Sequence, residues 1–195
     1  VTTDVCRKIA EDYGCELRDV LTGFKFIGEQ IGLLEEVGEE QRYVFGFEES
    51  YGYLAGGYVR DKDAVVASML ICEMVAYYKA QGLNLVEVLS NLYDKYGYYY
   101  CSQKSFTCEG QAGMKQIADI MKRLADNPPA EIGGLKVERF NNLNKSESLD
   151  IESGKISVID LPKSNVLCFY LADGSSLIVR PSGTEPKLKI YMFVK

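Results

Sequence analysis

The sequence reads Leu177-Ile178-Val179-Arg180-Pro181-Ser182-Gly183-Thr184-Glu185-Pro186 close to its end, and a second apolar-rich run, Lys187 to Val194, follows directly. The β-branched and aromatic residues of the two runs predict a strand, a loop and a second strand. The loop offers a guanidinium fork, hydroxyl groups and, at Gly183, a backbone N–H with no Cβ in front of it, which are donors suited to a phosphate. On this chemistry alone, a phosphate site and a polar surface turn are equally good interpretations.

A second polar segment follows a predicted strand nearer the start of the chain. Tyr43 to Phe47 is predicted to be a buried strand, and Glu48-Glu49-Ser50-Tyr51-Gly52 comes directly after it. The carboxyl ends of strands are where α/β sheets usually place ligand-binding groups. Carboxylates accept hydrogen bonds and a serine hydroxyl both donates and accepts, so the segment suits a ligand rich in hydroxyl groups. A solvated acidic loop is the alternative, and it would be preferred if the segment stood alone.

Taken together, the two segments resemble the α-D-phosphohexomutase family, the superfamily of phosphoglucomutase and phosphomannomutase. Gly46 to Gly52 is similar to that family's sugar-binding loop, and Arg180 to Pro186 is similar to its phosphate-binding loop. Two further elements fit in the family's order. Thr22-Gly23-Phe24-Lys25 resembles a loop that contacts the sugar, and Arg60-Asp61-Lys62-Asp63 resembles a loop that places a lysine near the active site. The resemblance extends over the whole chain.

The resemblance implies a sugar site in the first part of the chain. Gly23 would offer a backbone contact to the sugar, and Glu48 and Ser50 would bind its ring hydroxyls. Lys62 would stabilise charge near the transferring phosphate, or else form a salt bridge with a neighbouring aspartate. Glu49 would either reach the sugar or support Glu48.

The resemblance implies a phosphate site in the last part of the chain. The residues that would hold the phosphate that is not reacting are Arg180, Ser182, Gly183, Thr184 and Lys189. Several family members have an arginine shortly after the loop, and we assign that role here to Lys189. A lysine binds phosphate as a point charge rather than as a fork.

By the same resemblance, the catalytic groups lie outside this chain. Phosphohexomutases have four domains, with a phosphoserine loop that contains a histidine in the first and a magnesium loop rich in aspartate in the second. This sequence contains no histidine, and its nearest match to the magnesium loop, Asp61-Lys62-Asp63, lacks the third aspartate. We therefore expect the third and fourth domains alone, with no catalytic nucleophile and no metal site. The third domain would be truncated at its N-terminus, and the fourth would lack its last helix.

Composition narrows the range of partners. The formal net charge of −6 argues against nucleic-acid binding, and no apolar run approaches a membrane span. None of the six cysteines forms a C-x-x-C pair, which predicts reduced thiols and a cytoplasmic location. The expected partners are sugar phosphates and the missing N-terminal domains of the same polypeptide, with no nucleic acid and no membrane.

Two domains are expected, covering residues 1–127 and 128–195. Strands that alternate with helices predict an α/β layered domain first, with a helix that is capped by Asn84 and buries its apolar stripe from Leu85 to Tyr96. The prolines of Asp126-Asn127-Pro128-Pro129 end the last helix of that domain. The remainder predicts a small, β-rich α+β domain, with a polar loop over Asn141 to Ser153. The resemblance implies that this domain has a fold like the TATA-binding-protein repeat.

The expected function is the substrate-binding half of a phosphoglucomutase or phosphomannomutase. By resemblance, the full-length protein would be an intramolecular phosphotransferase, classed as an isomerase, that interconverts sugar 1-phosphate and 6-phosphate through a bisphosphate. It would use Mg²⁺ and glucose 1,6-bisphosphate, while this fragment alone would carry no cofactor and would be inactive. The alternatives are a stand-alone, non-catalytic phosphosugar-binding module and a fragment of a phosphopentomutase or phosphoglucosamine mutase.

Overall fold

The chain divides between Tyr98 and Tyr99 in the computed structural model, which describes residues 2–183 and 185–195. The two units are Val1–Tyr98 and Tyr99–Lys195. This division falls earlier than the boundary predicted after residue 127, because the strand and helix that follow Tyr99 pair and pack with the second unit. The predicted fold class is confirmed, since helices with a short sheet precede a β-rich unit with one long helix.

The first unit combines α-helices with an antiparallel hairpin. Its elements are α1 (Val5–Asp12), α2 (Phe24–Glu36), β1 (Phe45–Glu48), β2 (Gly52–Ala55), α3 (Ala64–Ala80) and α4 (Leu85–Tyr96), with a 3₁₀ turn at Glu40–Arg42. Ile31 of α2 and Leu54 of β2 are fully buried, and they pack with Phe24 in a small core. β1 starts later than predicted, and Phe45 remains 45% exposed, so this strand is less buried than expected.

Side-chain caps fix where two helices of the first unit begin. Oδ1 of Asn84 accepts hydrogen bonds from the N–H groups of Val86 and Glu87, and the Glu87 carboxylate accepts one from the N–H of Asn84. This reciprocal arrangement satisfies backbone donors that a helix start leaves unpaired. The predicted Asn84 cap is therefore confirmed. Asp63 caps α3 without a reciprocal partner, its carboxylate accepting hydrogen bonds from the N–H groups of Val65 at 2.7 Å and Val66 at 3.3 Å.

The apolar surfaces of α3 and α4 lie open. α3 has no buried residue, and Val65 and Met69 on it are 78% and 57% exposed. In α4 the residue that is buried is Tyr96, whereas Leu89 is 46% exposed. The prediction that the α4 stripe belongs to the core is therefore wrong for this chain. The stripe does share one helix face, but within the described residues it is covered at Tyr96 and exposed at Leu85, Leu89 and Leu92.

The second unit is a mostly antiparallel sheet with one long helix. Its elements are β3 (Tyr100–Thr107), α5 (Gly110–Asp126), β4 (Glu131–Ile132), β5 (Leu135–Asn142), β6 (Glu147–Asp150), β7 (Ile156–Val158), β8 (Leu167–Leu171), β9 (Ser176–Pro181) and β10 (Lys187–Val194). The strand order is β3-β10-β9-β8-β5-β6-β7, and β4 pairs with β5. β10 therefore lies between β3 and β9 and carries the longest pairing in the sheet.

The core of the second unit forms where α5 packs on the sheet. Ile117 and Met121 of the helix lie against Val137, Phe169 and Leu188 of the strands, all of them buried. Burying an aliphatic or aromatic side chain of this size contributes about 1.5–3 kcal/mol. This packing joins α5 to the second unit although the prolines after Asn127 had suggested a boundary there.

Two elements of the second unit were not expected, the short strand β4 and the strand β6. β6 lies within the segment predicted to be a polar loop, so that prediction is wrong at Glu147–Asp150. β6 is paired on both sides, with β5 and with β7, and Leu149 packs against the core. Pairing with neighbours thus imposes strand structure on a segment whose own residues favour it weakly.

Among the described residues, no helix combines the length and apolar character that crossing a membrane requires.

Candidate functional site

The loop between β9 and β10 brings two cations side by side. Arg180 and Lys189 are direct cross-strand partners. Val179 and Leu188, their neighbours in sequence, belong to the core under α5. Because side chains alternate between the faces of a sheet, Arg180 and Lys189 share the face opposite the helix. Like charges placed directly opposite each other destabilise a sheet, so this pair favours an anion between them.

Backbone hydrogen bonds shape the loop itself. The N–H of Ser182 donates to the carbonyl of Lys187 at 2.8 Å, and the N–H of Glu185 donates to the Ser182 hydroxyl at 3.3 Å. Nothing lies within 4 Å of where a Cβ of Gly183 would be, so its backbone borders open space. The predicted contact residue Thr184 lies outside the described residues.

Lys187 forms an ion pair within the loop. Its Nζ lies 2.8 Å from Oε1 of Glu185. This hydrogen bond and the positive charge of Lys187 lower the pKa of the Glu185 carboxyl. Lys187 is therefore engaged within the loop, which supports assigning the phosphate-binding role to Lys189.

The hairpin of the first unit presents the predicted sugar-binding residues. Glu48 is the last residue of β1 and pairs with Gly52, so that Glu49, Ser50 and Tyr51 form the connection. Tyr51 has φ of 64°, a left-handed conformation that is uncommon for a residue with a bulky side chain, and it is 87% exposed. Ser50 is also exposed at the tip. The hydroxyl-rich connection is therefore open to solvent.

Gly52 lets two side chains approach each other. A Cβ on Gly52 would lie 3.0 Å from Oε1 of Glu48 and 3.1 Å from Cδ of Lys62. A glycine therefore allows the carboxylate and the lysine stem to lie against the same piece of backbone. The sequence analysis included Gly52 in the loop from Gly46 to Gly52 but gave it no role of its own, and its pairing with Glu48 in the hairpin explains the close approach.

Lys62 connects this cluster to the start of α2. Its Nζ lies 5.8 Å from the centre of the Phe24 ring, and Phe24 begins α2 directly after Gly23. Gly23 has φ of 123°, which a residue with a side chain rarely adopts. Three of the four predicted motifs, around Gly23, Glu48 and Lys62, thus meet within the first unit.

The acidic neighbours of Lys62 have structural partners. Asp61 lies 3.0 Å from Nζ of Lys62, and hydrogen bonds from Lys62 lower the pKa of the Asp61 carboxyl. Asp63 accepts a hydrogen bond from Tyr58 at 2.5 Å besides capping α3, and both interactions lower its pKa. Across residues 2–183 and 185–195, no three His, Cys, Asp or Glu residues are grouped so that they could hold a metal ion. Asp61 and Asp63 therefore act as ion-pair and capping groups.

Comparison with known proteins assigns both units to one family. Residues 1–96 match the family model described as "Phosphoglucomutase/phosphomannomutase, alpha/beta/alpha domain III". Residues 108–192 match the one described as "Phosphoglucomutase/phosphomannomutase, C-terminal domain". The second match begins after β3, so the family model leaves unassigned a strand that the structure pairs with β10.

Curated relatives include phosphoglucomutases from Staphylococcus aureus. Those of strains MRSA252 and N315 are 40% and 38% identical to this chain over 195 residues. The match covers 100% of this chain but 35% of each relative, so the chain spans about a third of their length.

A solved structure shares the fold. The open form of the exocytosis-sensitive phosphoprotein pp63/parafusin, a phosphoglucomutase from Paramecium, superposes with a TM-score of 0.61 over 98% of this chain and 31% of that one. The two sequences are 22% identical, so this likeness concerns the fold.

Proposed function

The chain belongs to the phosphoglucomutase/phosphomannomutase family, and we propose that it is the substrate-binding half of a mutase that interconverts sugar 1-phosphates and sugar 6-phosphates. The match to domain III and the C-terminal domain supports this proposal. It is also supported by the coverage, because the whole chain aligns with about a third of each curated relative. The curated relatives are phosphoglucomutases, which are isomerases of carbohydrate metabolism. In this proposal the phosphoserine belongs to a part of the full-length protein outside this chain, and the chain alone is inactive.

The proposed reaction consists of two phosphoryl transfers. In the first, the O–P bond of the phosphoserine breaks and a new O–P bond forms to a free hydroxyl of the sugar monophosphate, whose proton passes in the net reaction to the serine oxygen. The product is a bisphosphate such as glucose 1,6-bisphosphate. The bisphosphate then turns over, and its other phosphoryl group returns to the serine. The half described here holds the sugar through both steps.

The phosphate that is not reacting would lie between Arg180 and Lys189. The cross-strand pairing of these two cations is the observation that carries the proposal. A phosphate dianion removes their mutual repulsion, and each charge-assisted hydrogen bond adds about 1.5–3 kcal/mol. Ser182 and Thr184 would add hydroxyl donors, and the open backbone at Gly183 would add an N–H.

The sugar would be held by the cluster in the first unit. Glu48 and Ser50 would bind ring hydroxyls, and Gly23 would add a backbone contact. The carboxylate and hydroxyl of an exposed hairpin suit the sugar bisphosphate, because this ligand must bind in two opposite orientations. The side chains of Lys62 and Glu48 both lie against Gly52. Lys62 would stabilise charge on the phosphate that is being transferred.

Two further parts of the proposal concern what surrounds this chain. Magnesium would be bound by other domains of the full-length protein, because the described residues include no group of three His, Cys, Asp or Glu that could hold a metal ion. A reducing compartment such as the cytoplasm is part of the proposal, because the six cysteines include no C-x-x-C pair.

The proposal is tested by titrating this chain with glucose 1,6-bisphosphate and following backbone amide signals by NMR. We expect saturable shifts at residues 180–183 and 48–50. Arg180→Ala should weaken binding by about 10-fold to more than 100-fold, because it removes at least one charge-assisted bond. Arg123→Ala, which removes an exposed arginine from α5, is the matched control and should bind as the wild type does.

Two results would contradict the assignment. Undiminished affinity in Arg180→Ala would show that the loop is not the phosphate site. An absence of saturable shifts at millimolar ligand would show that the half does not bind the sugar phosphate by itself. Pentose and glucosamine phosphates in the same titration would identify a phosphopentomutase or phosphoglucosamine mutase fragment by tighter binding.

A further inference from the structure

β3 places a hydroxyl group next to the pair of cations formed by Arg180 and Lys189. The strand pairs with β10 along its whole length, and within that pairing Lys189 is the direct partner of Ser105. Lys189 is also the partner of Arg180 on the other side. The three residues therefore form one straight row across three neighbouring strands, with Lys189 in the middle.

The row faces away from the helix. Leu188 and Ile190 of β10 pack in the core under α5, and their partners on β3 are Phe106 and Lys104. Side chains alternate along a strand, so Ser105 must be on the opposite face of β3, together with Gln103 and Thr107. This is the face that carries Arg180 and Lys189.

A hydrogen bond orients the Ser105 hydroxyl. Nε2 of Gln103 donates to Oγ of Ser105 at 3.2 Å. A hydroxyl that accepts from an amide still has its own proton to donate. Ser105 is exposed, so this proton is accessible to a ligand in solvent.

The spacing of the row matches a phosphate. Neighbouring strands are about 4.8 Å apart, so the backbones of β3 and β9 are separated by about 10 Å at this row. The side chains of Arg180 and Ser105 extend from the two outer strands, and the Lys189 stem extends between them. A phosphate above Lys189 would therefore lie between a guanidinium and a hydroxyl, with its oxygens accepting from both.

We propose that Ser105 is a further phosphate-binding residue and that Gln103 is the positioning residue that orients it. The inference rests on the proposed function, since it adds a third strand to the same phosphate site. Its ligand is the dianionic phosphate of a phosphate monoester, bound by a fork, a point charge and a hydroxyl donor on three adjacent strands.

The test compares variants of the whole chain by NMR titration with glucose 1-phosphate and, separately, with inorganic phosphate. Ser105→Ala should weaken binding of both ligands by about 3- to 10-fold, the range expected for one hydrogen bond of ordinary strength at an exposed position. Ser105→Asp should weaken it further, because a carboxylate beside Lys189 competes with the phosphate. Ser102→Ala is the matched control, because Ser102 is on the same strand but pairs with Met192 and faces the helix side.

The role of Gln103 is tested by a double-mutant cycle. If Gln103 acts through Ser105, then Gln103→Ala should weaken binding in the wild-type background and have no added effect in Ser105→Ala. Independent, additive losses would overturn the positioning role.

Failure of this inference is distinguishable from failure of the proposed function. Wild-type affinity in Ser105→Ala and Ser105→Asp, alongside weakened binding in Arg180→Ala, would overturn the Ser105 site and leave the loop site in place. Undiminished binding in all three variants would overturn both.

Discussion

A single methyl group on Gly113 should disturb both the core and the phosphate loop. Gly113 lies in the first turn of α5, where a Cβ would be 2.0 Å from the carbonyl oxygen and 2.2 Å from the carbonyl carbon of Cys108. These are backbone atoms, so no change of rotamer can relieve the overlap. The N–H of Cys108 donates to the carbonyl of Pro186 at 2.9 Å. A displacement of Cys108 is therefore transmitted to the end of the loop.

Two opposing effects set the magnitude for Gly113→Ala. Alanine is favoured over glycine inside a helix by about 1 kcal/mol. Overpacking a site that has no room costs about 1–3 kcal/mol, and the upper part of that range applies because the contact is with backbone. We therefore expect a net decrease of about 1–2 kcal/mol in the free energy of unfolding of the second unit.

Gly32→Ala is the matched control. Gly32 is inside α2, and nothing lies within 4 Å of where its Cβ would be. The same substitution should therefore stabilise the first unit by about 1 kcal/mol. Urea unfolding followed by circular dichroism gives the size of each change, and hydrogen exchange measured on peptides assigns it to one unit. Equal or greater stability in Gly113→Ala, with unchanged exchange in α5 and β8 to β10, would refute the reasoning.

Three further predictions concern the first unit. Asn84→Ala should lower its stability by about 1 kcal/mol in urea unfolding by removing the capping box, whereas Asn91→Ala on the exposed surface of the same helix should not. Tyr51→Gly should raise its stability by about 0.5–1 kcal/mol in the same assay, because glycine relieves the left-handed backbone; an unchanged midpoint would argue against strain there. The hydrogen bond from Tyr58 and the cap lower the pKa of Asp63, so its contribution is present above the unfolded pKa and is lost as the pH falls through the folded pKa. Stability measured at pH 7 and pH 3 should therefore fall less in Asp63→Asn than in the wild type, and equal falls would count against this role.

Local signals in the sequence predicted where helices and strands form better than they predicted which elements pack against each other. Asn84 was identified as a cap because capping depends on residues within one turn. The strand from Lys187 to Val194 was identified because it is rich in apolar, β-branched and aromatic residues. β6 was missed since Glu147 to Asp150 has a single apolar residue, Leu149, and is a strand because of the strands on either side. The α4 stripe shows that periodicity identifies a shared face but not whether that face is covered.

The candidate site was predictable in its residues but not in its geometry. Arg180 and Lys189 were each proposed as candidates from the resemblance, whereas their direct opposition depends on the pairing register. Ser105 was not identified at all. Alternation along β3 indicates which of its residues share a face, but it does not show which other strand β3 pairs with. The assignment of β3 to the first domain followed from the same limitation, since pairing between distant segments carries no local signal.

The alternation along β10 has a consequence for how the protein can evolve. Leu188 and Ile190 point into the core while Lys189 points to the opposite face. Inserting or deleting one residue between Pro181 and Lys187 would shift β10 by one position, which would move its lysine into the apolar layer and an aliphatic side chain beside Arg180. Individual residues of the loop can therefore be exchanged without loss of the fold, but the number of residues in it is constrained. In-frame insertions and deletions are common in surface loops, but they should be rare in the loop between β9 and β10.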